Sequence, residues 1–98
     1  MIINIQMLFH YDIISMPIEK INELKSVIKK FDDFIHCKSN DHPFWTYING
    51  KKMAPEVSTE SLIWWLNNKY FSKGEKAKII SQNNKIDSID TSIYSIYL

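Results

Sequence analysis

The feature that most constrains this chain is a change of hydrophobic period near residue 16. Up to that point apolar side chains fall on alternate positions, Ile3, Ile5, Met7, Phe9, Tyr11 and Ile13. Asn4, Gln6, His10 and Asp12 lie between them, and Leu8 is the exception. A period of two is that of a strand with one covered face. The spacing therefore predicts a long strand over residues 3–13 in an antiparallel sheet, with Ile3, Ile5, Met7, Phe9 and Tyr11 beneath a helical layer. After Ser15-Met16-Pro17 the steps become three and four, through Ile18, Ile21, Leu24, Ile28, Phe31 and Ile35. That stripe predicts an amphipathic helix over about residues 17–32, with Pro17 in its first turn and Glu19 favoured by the N-terminal dipole.

Further elements follow from local chemistry. Residues 34–38 read as a short strand, and Lys38-Ser39-Asn40-Asp41-His42-Pro43 as a turn. Residues 44–48 are rich in aromatic and β-branched side chains and run into Asn49-Gly50, the pairing that best specifies a type I′ hairpin. Ser58 is placed to cap a second helix over about 58–71, with Val57 set to staple onto Leu62 and a stop near Lys73-Gly74. Strands over 77–82 and 92–97 complete the order β-α-β-β-β-α-β-β. The expectation is one α+β domain over residues 1–98, an antiparallel sheet of five to six strands with two helices mainly on one face.

Composition narrows the function classes. The net charge is +1, and all twelve basic residues are lysine, so the planar guanidinium that suits phosphate and guanine edges is missing. Direct nucleic-acid binding loses weight accordingly. A single cysteine, Cys37, forms no internal disulfide, which fits a reducing, cytoplasmic setting. The first fourteen residues lack a basic segment and are interrupted by polar side chains, so they read as neither a signal peptide nor a membrane span.

No glycine-rich phosphate loop, nucleophile elbow or zinc-ligand spacing is present. Neither a cofactor nor a metal is expected, and the chain does not read as an enzyme. His36, Cys37 and His42 are explained by a turn more simply than by a metal site. A small metal-independent ribonuclease would need His10, oriented by Asp12, to converge with His36 or His42 beside a cationic phosphate site.

The second helix carries the anomaly that points to a partner. At 100° per residue Leu62, Ile63, Leu66 and Tyr70 share one side, Trp64 and Phe71 fall almost opposite, and Trp65 lies on the flank. Large aromatics beside Glu60 on a solvated face suit a protein interface. Asp32, Asp33 and Asp41 are the carboxylates expected to steer a basic partner toward it.

Together with Trp45-Thr46-Tyr47, a following Pro55, a helix and a terminal strand, these features resemble the small immunity proteins of bacteriocin and contact-dependent growth-inhibition systems. The order over about half the chain is similar to that of the immunity partners of tRNA-cleaving colicins. The resemblance implies a protein-binding inhibitor that neutralises a cognate toxin, with a nuclease as one candidate. The alternative is a phage or mobile-element inhibitor of a host defence complex.

Overall fold

The computed structural model describes residues 1–71, Gly74 and 76–98. Its fold is α+β: a mixed four-stranded sheet in the order β5-β2-β1-β6, a separate two-stranded ribbon, and two helices. The expected first strand is in fact a hairpin. Strands β1 (Ile2–Gln6) and β2 (His10–Ser15) pair antiparallel across a two-residue turn at Leu8-Phe9, closed by the Met7 N–H donating to the His10 carbonyl at 2.9 Å. The reversal also exchanges the faces. Ile3 lies opposite Ile14 and Ile5 opposite Asp12, so the even positions of β2 join the odd positions of β1 on one face. Ile3, Ile5 and Ile14 are fully buried there. Tyr11, expected on that face, is buried on the other one, where its hydroxyl meets Ser88, and Phe9 is not under the helices at all.

Helix α1 (Ile21–His36) begins later and runs longer than the sequence spacing predicts. Pro17 stays outside it, because Met16 and Ile18 are drawn into the core and the chain crosses from sheet to helix layer over those residues. Leu24, Val27, Phe31 and Ile35 form its buried stripe. Phe34 and Ile35 continue that stripe, so residues 34–36 belong to the helix and the short strand expected over 34–38 is absent. Strands β3 (Trp45–Ile48) and β4 (Lys51–Pro55) make the expected hairpin, with Asn49 and Gly50 at φ +51° and +77°, the left-handed pair that a type I′ turn requires. Among the described residues they pair only with each other.

Helix α2 (Thr59–Trp65) starts at Ser58, whose hydroxyl accepts from the Ser61 N–H while the Ser61 hydroxyl accepts from the Ser58 N–H. It then widens into a π turn, Leu66–Tyr70, closed by the Phe71 N–H donating to the Leu66 carbonyl. Of the expected helix stop, Gly74 has φ +85°, and Lys73 lies outside the described residues. The Asn67 side chain hydrogen bonds the Ala77 backbone at both its N–H and its carbonyl, fixing the approach to β5 (Lys78–Lys85).

Strand β5 pairs antiparallel with β2, with register shifts and Asn83 at φ +58°; the Asp12 carboxylate accepts the Asn83 N–H at 2.9 Å. The last strand, β6 (Ser95–Tyr97), runs parallel to β1, so the sheet is mixed rather than wholly antiparallel. Asn4 faces away from the helices and is also fully buried, its amide donating to the Asp90 carbonyl and the Ser95 hydroxyl. One apolar core joins β1, β2, both helices and Ala77. No helix is long and apolar enough, among the described residues, to cross a membrane.

A candidate partner surface

The aromatic residues of α2 are engaged inside the molecule. Trp65 is buried, with its ring centroid 5.8 Å from that of Phe31 and 6.4 Å from that of Phe34. Trp64 is half-buried and meets Phe44 edge-on at 5.9 Å, while His42 lies 6.5 Å away. Phe71, also half-buried, stacks on Tyr70 at 4.9 Å, and Tyr70 stacks on Trp65 at 5.8 Å. The turn that follows α1 thus covers Trp64, which a helical wheel leaves to solvent, and Phe71 packs on its neighbour Tyr70. Glu60 is exposed and accepts a hydrogen bond from the Gln82 side chain.

Each of the three carboxylates has a partner within this chain. Asp33 pairs with Lys29 at 3.3 Å and Asp32 lies 3.4 Å from His36, all on the outer side of α1. Asp41 is held by Lys52 at 2.7 Å, and this lysine hydrogen bond keeps its carboxyl below the usual carboxylate range.

The histidines divide by role. Both ring nitrogens of His42 are used: Nδ1 accepts the Phe44 N–H at 3.1 Å, which leaves Nε2 to donate to the Ile35 carbonyl at 3.0 Å. His42 therefore satisfies one of the carbonyls that the end of α1 leaves without a helical partner, and its ring stacks on Trp45 at 4.7 Å. His36 bonds the Asp32 carbonyl within α1, and His10 sits on β2 opposite Lys85. His10 and His42 thus have different neighbours, Lys85 on β5 and the end of α1. Cys37 is exposed beyond the end of α1, where the Ser39 hydroxyl, at 3.1 Å, and the Ser39 N–H lower its thiol pKa. No group of three or more His, Cys, Asp or Glu side chains that could hold a metal ion occurs among the described residues.

The most exposed apolar side chains lie elsewhere. Leu8 and Phe9, the two residues of the β1–β2 turn, are 83% and 82% exposed. Tyr97, 73% exposed, lies opposite Gln6 on the neighbouring strand, and Gln6 is two positions before Leu8. Two-residue hairpin turns usually recruit Gly, Asn or Asp, and local backbone demands do not call for Leu-Phe. Polar residues border this end: His10 and Lys85 face each other across β2 and β5, and Asp87 follows on a short 3₁₀ turn, Ile86–Ser88. Tyr47, Ile48 and Met53 on the ribbon are also exposed, at lower fractions and beside Lys51 and Lys52.

Hydrophobic period alone does not single out Leu8 and Phe9. The signal was the break in alternation at Leu8, which places two apolar residues side by side. Comparison with protein-family models, with characterised proteins and with solved structures found no match.

Proposed function

We propose that this chain is a protein-binding inhibitor of the immunity type, which neutralises a partner toxin by seating the Leu8-Phe9 turn in an apolar recess of that protein. One observation carries the reading: two adjacent large apolar side chains are held out in solvent at the tip of a hairpin whose strands lie in the middle of the sheet. A rigid, central support keeps such a tip in one orientation, so little is lost in ordering it at an interface. Tyr97 widens the apolar area, and His10, Lys85 and Asp87 supply a polar border of the kind that surrounds interface anchors. Two residues of this size contribute about 2 kcal/mol each when fully buried against a partner.

The inhibitor reading gains further support from what the polar residues are doing. His42, Asn67 and Asp12 are engaged with backbone groups of this same chain, and Asp41, Asp33 and Glu60 with its side chains.

The test is complex formation with the product of the adjacent gene, measured by calorimetry. Phe9→Ser should weaken binding about 30-fold, the equivalent of about 2 kcal/mol. Trp64→Ala and Phe71→Ala, checked for retained fold, should weaken it less than Phe9→Ser. Equal affinity of Phe9→Ser and the parent would remove the turn from the interface. Failure to bind any protein, together with turnover of a small substrate, would remove the inhibitor reading itself.

A further inference from the structure

The sheet has two outer edges, and they differ in charge and twist. Strand β5 carries Lys78 and Lys85 at its ends and is twisted by Asn83 at φ +58°, devices that discourage pairing with another chain. Strand β6 is Ser95-Ile96-Tyr97 and has none of them.

Its hydrogen-bonding direction follows from the parallel ladder. The Asn4 N–H donates to the Tyr94 carbonyl at 2.9 Å and the Leu98 N–H donates to the Gln6 carbonyl at 3.2 Å. Residues 94, 96 and 98 therefore address β1, and the N–H and C=O of Ser95 and Tyr97 point outward. No other backbone segment among the described residues pairs with that edge.

A groove of about 570 Å³ runs beside this edge, between the β6 end and the outer face of α1. Ile28, Val57 and Leu98 give it an apolar lining, and Lys25, Lys29 and His36 stand along α1. Lys29 is paired with Asp33, and His36 lies 3.4 Å from Asp32, which also borders the groove. Lys25 has no acidic partner among the described residues, so the groove offers one cation without a counter-charge.

We propose that an extended segment of the partner protein adds to the sheet at the outer edge of β6, its main chain bonding Ser95 and Tyr97. An apolar side chain enters the α1 groove, and an acidic side chain meets Lys25. The free main-chain groups select an extended strand over a helix, because only a strand presents donors and acceptors in that repeat. The lone lysine selects acid over base. This deepens the binding-protein reading and rests on it, adding a second contact next to the Leu8-Phe9 turn.

The test pans a phage-displayed library of random decapeptides on the whole protein, then compares selected peptides on two variants. Tyr97→Pro removes an outward N–H and an exposed side chain while leaving the bonds to β1 in place. Lys25→Glu reverses the charge on an exposed helix position. Circular dichroism confirms that each variant is folded, and because Lys25→Glu does not alter the sheet, it decides the matter if Tyr97→Pro does not fold. Selected peptides should alternate apolar and acidic residues, bind the parent at least tenfold more tightly than either folded variant, and slow exchange of the Ser95 and Tyr97 amide protons.

The proposal is overturned by a panning that enriches no peptide, by basic peptides, or by peptides that bind the variants as well as the parent. A parent that dimerises alone and loses its dimer in Tyr97→Pro also overturns it, since the edge would then belong to a second copy. Partner binding lost in Phe9→Ser but unchanged in Tyr97→Pro and Lys25→Glu would remove strand addition and leave the inhibitor reading intact. Absence of any partner complex would remove that reading instead.

Discussion

Replacing His42 with phenylalanine separates what its ring does by shape from what it does by hydrogen bonding. The parent ring stacks on Trp45 with centroids 4.7 Å apart and planes 15° apart, and a phenyl ring preserves that contact. It removes both hydrogen bonds, the 3.0 Å bond to the Ile35 carbonyl and the 3.1 Å bond from the Phe44 N–H. Ile35 is fully buried and His42 nearly so, so water does not readily replace either partner. Leaving a buried donor or acceptor unmade costs about 1–3 kcal/mol, and two such groups partly relieved by backbone adjustment give about 2–3 kcal/mol in all. For a domain of this size that corresponds to a fall in Tm of roughly 10–15 °C. Thermal unfolding followed by far-ultraviolet circular dichroism measures it, with urea titration to separate stability from a change in slope. His36→Phe is the companion, an exposed helix position where the change should stay within about 0.5 kcal/mol. A Tm for His42→Phe within about 3 °C of the parent would refute the claim that this side chain ties the ribbon to the end of α1.

Four other outcomes follow. Phe9→Ser should leave Tm within about 3 °C, as expected for a side chain that is mostly solvated; a larger fall would mean that the ring packs on its own domain. Gly50→Ala should cost about 1 kcal/mol, read by urea unfolding, because φ is +77° while an added Cβ meets nothing within 4 Å, so conformation alone sets the cost. Cys37 should react with an aromatic disulfide at lower pH than a free cysteine thiol, since its lowered pKa gives more thiolate at a given pH. Ser39→Ala should shift that rate profile upward, and an unmoved profile would contradict the role of Ser39. Burial, together with the Glu23 carboxylate that accepts its hydroxyl, raises the Tyr70 pKa. Above about pH 10 the unfolded chain therefore releases this proton first and stability falls as pH rises, an effect that Glu23→Gln should reduce in an alkaline unfolding series.

What could be read from the sequence follows the range over which each signal acts. The Asn49-Gly50 turn and the Ser58 cap are set by the conformation of one or two residues, and both stand where the residues place them. The α1 stripe is also local, although its start moved because Met16 and Ile18 seek the core before the helix begins. The Leu8-Phe9 turn is hard to read because Phe9, Tyr11 and Ile13 keep the odd-position period despite the break at Leu8, and a two-residue reversal restores the same pattern on the return strand with the faces exchanged. The outward placement of Trp64 and Phe71 rests on a wheel that assumes 100° per residue and an uncovered outer side. The π turn over Leu66–Tyr70 breaks the first assumption, and Phe44 and His42, some twenty residues earlier in the chain, break the second. The candidate surface depends on which strands are neighbours, information that no single window of residues contains.

The parallel pairing of β1 with β6 sets an order of assembly. The Asn4 to Ser95 contact spans 91 positions, nearly the whole chain. Once β5 has seated on β2, only the separation of ten positions from Lys85 to Ser95 remains to be closed. Because closure entropy grows with the logarithm of loop length, prior docking of β5 lowers the cost of adding β6 by about 2 kcal/mol, about thirtyfold in population. Three residues long, β6 is also the strand with least to lose by leaving. The Asn4 amide would then meet water, and the edge of β1 would be uncovered in its place, so the molecule carries a second pairing edge that is concealed while the first is in use.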